Sequence, residues 1–173
     1  MKKKYTLFTV AALSLFALGA CSTTTPTKKE TSNSATKASS TTEAATNTEY
    51  KVGDTIVFKD VAEITITNVA WTDERNSASD IVANKVLLVT YNLTNLTDDY
   101  VVGEDIDLYV NNKSTESYPV GTILETIAAG RSIEGATAAF AVNEDGTAEL
   151  EVEPGFQINS KLKPAVVSIE LPK

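Results

Sequence analysis

The chemistry open to this chain is bounded by what its 173 residues lack: it has no His and one Cys, and its charged groups are 23 Asp+Glu against 15 Lys+Arg. Without imidazole there is no Ser-His-Asp or Cys-His nucleophile, no His-bearing zinc site and no imidazole pH switch. A single Cys makes no internal disulfide and no Cys cluster. Acid–base work falls to carboxylates, Lys, Tyr and hydroxyls. The densest acidic stretch is Asp98, Asp99, Glu104, Asp105 and Asp107. Oxygen donors on a loop suit Ca²⁺, which takes about six to eight of them. The spacing follows no EF-hand, however, and Gly103 is the only tight-turn residue. The five therefore read first as solvated loop carboxylates and second as a calcium site; no metal site is assigned. Glu149, Glu151 and Glu153 alternate with Leu150 and Val152, which puts the three acids on one strand face, most simply a solvated one. A glycosidase-type carboxylate pair is available by residue type, but small β domains without long loops enclose little cleft. No Ser-x-x-Lys motif opens a helix. No catalytic residue and no cofactor is assigned, and a net charge of −8 argues against a nucleic-acid partner.

The elements that must position these groups are strands. From Tyr50 onward Val, Ile and Leu return in short runs of period two, broken by Gly, Asn, Asp and Pro. Asp54-Thr55-Ile56-Val57-Phe58 follows a Gly53 turn, and Ala62, Ile64 and Ile66 share one face of the next run. Val69 and Trp71 fall in the opposite phase, which a β-bulge near Thr67-Asn68 would correct. Leu87, Val89, Tyr91 and Leu93 form another face, followed by Ile106, Leu108 and Val110 and an Asn111-Asn112 turn. Ile133 and then Ala138, Phe140 and Val142 change phase around Gly135, a second bulge. Glu144-Asp145-Gly146 reads as a hairpin turn. Ala148, Leu150 and Val152, then Ala165, Val167, Ile169 and Leu171, complete the pattern. This predicts an all-β fold, an antiparallel β-sandwich of about seven to nine strands. Trp71 reads as a core or sheet-edge aromatic. Thr72–Ala83 is the longest loop and reads as mobile; it and Thr97–Gly103 are candidate contact loops. The sequons at Asn92, Asn95 and Asn112 read as chance products of a Thr/Asn-rich sequence.

The N-terminus is an address. Lys2, Lys3 and Lys4 precede an apolar run from Tyr5 to Ala20, short for a membrane span of ~20 residues and suited to a signal peptide. It ends in Leu18-Gly19-Ala20-Cys21, which resembles the lipobox of bacterial lipoproteins. That resemblance implies that the Cys21 thiol is diacylglycerylated, with palmitate-class acyl chains, and that the chain is cleaved before it. The expected organisation is a signal peptide (1–20), the lipidated Cys with a Ser/Thr-rich linker (21–49) and a folded domain (50–173). Of the 28 residues in 22–49, 15 are Ser or Thr. No Val, Ile, Leu, Met or aromatic residue is present, so the stretch reads as a disordered tether with a maximum reach near 95 Å. Its charges cancel, and Lys2 to Lys4 leave with the signal. The acidic excess therefore sits on residues 50–173, with nine Lys+Arg against twenty Asp+Glu.

The order and spacing of several short motifs carry a family resemblance. They are Val52-Gly53-Asp54-Thr55, Ile64-Thr65-Ile66-Thr67-Asn68-Val69, Leu87 through Asn95, Ile106-Asp107-Leu108, and Ala129-Gly130 followed by Gly135 and Phe140. The chain resembles Gram-positive lipoproteins that carry a small immunoglobulin-like domain of unknown function, similar in architecture to a secreted mycobacterial immunoprotective antigen. The Ala-rich run Ala136 to Ala141 departs from it, since bulkier strand residues are usual there. The resemblance implies an immunoglobulin-like sandwich and no catalytic residues. The expectation is a non-enzymatic binding module, lipid-anchored on the outer side of the cell membrane. Its partner would be an envelope protein, a wall polymer or a host molecule with a neutral or cationic surface. The alternatives are a carboxylate-based envelope glycan hydrolase and a Ca²⁺-stabilised surface domain.

Overall fold

The computed structural model describes residues 24–29, 48–98, 100–121, 124–155 and 162–173. The signal segment with Leu18, Gly19, Ala20 and Cys21, residues 30–47 of the expected linker, and Asp99 lie outside them. Twelve strands and no helix occur among the described residues: β1 (Thr27–Lys28), β2 (Thr55–Phe58), β3 (Ala62–Thr72), β4 (Lys85–Asn95), β5 (Tyr100–Val102), β6 (Ile106–Val110), β7 (Lys113–Ser114), β8 (Glu116–Ser117), β9 (Glu125–Ile127), β10 (Ser132–Val142), β11 (Ala148–Val152) and β12 (Ala165–Ile169). The count exceeds expectation because β1, β5, β7, β8 and β9 have two or three residues each, too few to show a period.

The strands form a six-stranded sheet in the order β1-β2-β3-β4-β10-β8, a four-stranded sheet β12-β11-β6-β7 and the pair β5-β9. Every paired strand is antiparallel to its neighbour. Period-two patterning makes one face of each large sheet apolar, and the two faces close on each other. Ile56, Phe58, Ile64, Leu87, Tyr91 and Phe140 from the first sheet share one core with Leu108, Leu150, Val152 and Val167 from the second. The pairing of β3 with β4 shifts register between Ile66 and Asn68, and that of β10 with β4 between Ile133 and Ala136. These are the two expected bulges, and they return Val69, Trp71 and Ile133 to the core side. Asn111 and Asn112 both have positive φ, the geometry of a two-residue hairpin turn joining β6 to β7. Trp71 packs half-buried against the core, and its indole N–H donates to the Pro172 carbonyl at 2.7 Å.

Three expectations are corrected. Glu144-Asp145-Gly146 is not a hairpin turn: β10 and β11 belong to different sheets, so the segment carries the chain across the sandwich. Turn residues encode a reversal, and the sheet that the next strand joins is decided by its buried face. Thr72–Ala83 is not a free loop. Its Ile81 and Ala83 pack on a second cluster of Val86, Tyr118, Ala139 and Ala141 behind the large sheet. Asn76 donates to the Pro119 carbonyl at 3.0 Å, and Asn143 to that of Val82 at 3.0 Å. The third correction concerns the tether. Thr27 and Lys28 pair with Val57 and Ile56 as an edge strand, and Thr24 bridges to Leu162. Lys28 and Lys29 make ion pairs with Asp54 and Glu63 at 2.7 and 2.6 Å, and the Lys28 ammonium holds the Asp54 carboxyl below its usual range.

Candidate binding site

Of the five acids singled out in the sequence, Asp99 lies outside the described residues, and Glu104, Asp105 and Asp107, but not Asp98, line a common cleft. Asp98 and Glu104 are exposed, and Asp107 points outward from β6, while Asp105 is 2% exposed, inside the protein. Among the described residues no group of three His, Cys, Asp or Glu side chains is placed to hold a metal ion. The physical reason is visible at Asp105, whose oxygens are already engaged. Oδ2 accepts the Tyr91 hydroxyl at 2.8 Å and the Gly103 N–H at 3.0 Å; Oδ1 accepts the Gly155 N–H at 2.9 Å and the Tyr100 hydroxyl in a short bond. The Asp105 carbonyl also accepts the Glu153 N–H at 3.0 Å. One carboxylate thus joins β4, β5, the turn before β6 and the segment after β11.

This clamp was missed in the sequence, although a signal for it existed. Tyr91 occupies an inward position between Val89 and Leu93, and a phenol placed in a core needs a partner for its hydroxyl. Burial, and then the Asp105 charge, push the Tyr91 and Tyr100 hydroxyls above the ordinary 10.0. Below that pH both are neutral whether the chain is folded or not, so their stabilising contribution is complete. Above it the unfolded chain ionises them and the folded chain does not. Stability should therefore fall as pH rises past 10, with the tyrosinate absorbance of these two residues appearing together with loss of β-sheet circular dichroism. A smooth non-cooperative titration of all tyrosines near pH 10 would contradict this.

Glu149 and Glu151 share the outer face of the four-stranded sheet, as the alternation predicted, and the register adds Asp107 to it, while Glu153 lies just past the end of β11. Glu151 stands opposite Asp107, and Glu149 opposite Tyr109. The Glu151 charge, with Asp107 contributing less, pushes the Tyr109 hydroxyl upward. Glu104, Asp105, Asp107, Glu151 and Glu153 line a cleft of about 210 Å³. Cross-strand neighbours rise side by side with Cβ atoms ~5 Å apart. Asp107 and Glu151 therefore do not face one another across a space a sugar ring would fill.

A larger groove of about 580 Å³ lies where β8 and β10 come beside β6. Its apolar wall comprises Ile81, Ile106, Tyr118, Pro119, Leu124, Ala138, Ala139 and Phe140, and Glu104 and Asp107 stand on it as well. The Ala-rich run explains it. Strand β10 is buried on both faces: Ala136, Ala138 and Phe140 join the main core, and Ala139 and Ala141 the second cluster. Small side chains let the segment around Tyr118 close over one face while leaving space beside the other. Leu124 is 68% exposed at the groove, an apolar side chain with little cover. Asn95, one of the sequon residues, is fully buried, and its amide donates to the Asp98 and Ile127 carbonyls at 2.6 and 3.0 Å, which closes it to glycosylation.

A solved structure shares this fold. It is ycdA of Bacillus subtilis, described as a "putative lipoprotein", with 23% identity and a TM-score of 0.56 over 70% of this chain. The chain spans about two-fifths of that protein, 39% of its length. At this identity the likeness is one of fold. No protein-family model matches the chain, and no curated protein matches it.

Proposed function

We propose that this chain is a lipid-anchored, extracytoplasmic, non-enzymatic binding module with an immunoglobulin-like sandwich, held on the outer side of the cell membrane through Cys21. The anchor reading is supported by Lys2 to Lys4, the apolar run and Leu18-Gly19-Ala20-Cys21. It is also supported by a fold shared with a protein described as a lipoprotein in a Gram-positive bacterium. The immunoglobulin-like identity, and with it the likeness to the mycobacterial antigen, rests on the motif order and on two antiparallel sheets facing across one core.

The binding reading rests on the groove beside β10, apolar on its floor and acidic on its rim. A volume of about 580 Å³ falls in the range of ligand clefts. Glu104 and Asp107 select against anions. The fitting partner is a segment with a bulky apolar side chain flanked by Lys or Arg, borne by an envelope or host protein. The side-by-side arrangement of Asp107 and Glu151 disfavours the glycan-hydrolase reading, and the engagement of Asp105 disfavours the calcium reading.

The test is a titration of the mature chain with paired peptides, Lys-flanked and Glu-flanked around the same Leu or Phe, followed by the methyl resonances of Ala138, Ala139 and Leu124. Lys-flanked peptides should shift these signals, and Glu104→Lys/Asp107→Lys should weaken binding about tenfold or more, the scale of two partly desolvated ion pairs. Equal response to both peptides, or none at millimolar concentration, would sink the groove reading. Anchoring is tested separately by Cys21→Ser, which should release the chain from the membrane fraction.

A further inference from the structure

The N-terminal segment connects the edges of both sheets. Thr27 and Lys28 extend the six-stranded sheet beyond β2, and the Lys29 N–H donates to the Thr55 carbonyl at 3.0 Å. Three residues earlier, Thr24 bridges to Leu162 just ahead of β12, its carbonyl accepting the Lys163 N–H at 3.2 Å. Between them the Pro26 carbonyl accepts the buried Tyr50 hydroxyl at 2.9 Å. The ion pairs of Lys28 and Lys29 complete the attachment. Backbone pairing, a buried side-chain bond and two ion pairs all fasten one six-residue stretch to the domain.

We infer that this docking shortens the anchor: the lipid on Cys21 holds the Thr24–Leu162 end of the domain directly at the bilayer surface. This rests on the lipid-anchor reading above. The path from Cys21 to the fold enters at Thr24, three residues on, a reach of at most about 11 Å. Residues 30–47 then join two points of the same folded body, Lys29 and Thr48, and add nothing to the distance from the membrane. A Ser/Thr-rich stretch that reads as a tether of some 95 Å thus ceases to be one. The partner surface is a lipid headgroup layer, and the docked strand decides which end of the sandwich meets it.

Two insertions separate the possibilities. The full lipidated chain, carrying a fluorophore through Lys163→Cys, is bound to phosphatidylcholine vesicles that contain headgroup spin-labelled lipid. About twenty Gly/Ser residues are inserted either after Ser22, ahead of the docked strand, or after Ser34, behind it. The first insertion should let the domain move out by roughly 27 Å and lower the quenching at least threefold. The second should leave quenching at the parent value. Equal loss from both insertions, or a parent chain that is not quenched while vesicle-bound, would overturn the inference and leave the anchor reading intact. A chain that does not associate with vesicles at all would overturn the anchor reading itself.

Discussion

Asp105→Ala should lower the unfolding free energy by about 3–5 kcal/mol, the scale for removing one member of a buried polar network. Four donors lose their acceptor at once: the Tyr91 and Tyr100 hydroxyls and the Gly103 and Gly155 amides. The two hydroxyls are far from bulk water, since Tyr91 is fully buried and Tyr100 nearly so, and the two glycine amides are half-buried. Asp105→Asn keeps the shape but replaces one acceptor oxygen with a donor. The tyrosine hydroxyls can rotate to accept from it; a backbone N–H cannot. The Asn variant should therefore be less damaging than Ala and still cost about 2 kcal/mol. Asp107→Ala, two residues along on the solvated face, should stay within about 0.5 kcal/mol of the parent. Urea unfolding of the three variants checks this. Equal midpoints for Asp105→Ala and Asp107→Ala would mean that the clamp contributes nothing.

The contrast between Asp105 and Asp107 shows where the sequence was legible. Alternation placed Leu87, Val89, Tyr91 and Leu93 on one face of β4, and Glu149 and Glu151 on the outer face of β11, because a strand leaves each side chain only two directions. The bulges at Thr67-Asn68 and Gly135 were legible for the same reason: a change of phase within an apolar run has one economical cure. Asn111-Asn112 was legible because two positive φ angles in succession favour Asn.

Asp105 sits one residue before β6, outside any period, so nothing local says that it turns inward. Its destination depends on Tyr91 and Tyr100, fourteen and five residues upstream, and on Gly155, fifty residues downstream. Long-range partners also explain the other misses. Thr24–Lys29 has only Pro26 to bury, and it is otherwise held by backbone pairing with edges whose existence composition cannot reveal. Thr72–Ala83 is polar except at Ala78, Ile81, Val82 and Ala83, yet it is pinned through Asn76 and Asn143. Even the groove was half-legible, since the alanines of 136–141 were conspicuous. What they make room for needed Tyr118 and Leu124 in place around them.

Gly155→Val should cost about 2–4 kcal/mol and should act on the same clamp from the opposite side. Gly155 has φ +56, and a Cβ placed on it would lie 3.1 Å from the Tyr100 ring. Valine is doubly unsuited: a β-branched residue resists the left-handed region, and its methyl groups must displace a ring packed in the core. Moving either Tyr100 or the 155 backbone stretches a bond to Asp105. Gly130→Ala is the control for conformational cost alone, because its φ is +72 and nothing lies within 4 Å of the added Cβ. That variant should lose about 1 kcal/mol. The combination of Asp105→Ala with Gly155→Val then decides whether the two residues belong to one device. Once the acceptor is gone, the Gly155 amide has no bond left to lose and Tyr100 is freer to move. The double variant should fall short of the summed single effects by about 1 kcal/mol or more. Strict additivity would mean that Gly155 matters only for its backbone angle, and that the carboxylate holds the end of β11 no more firmly than the turn does by itself.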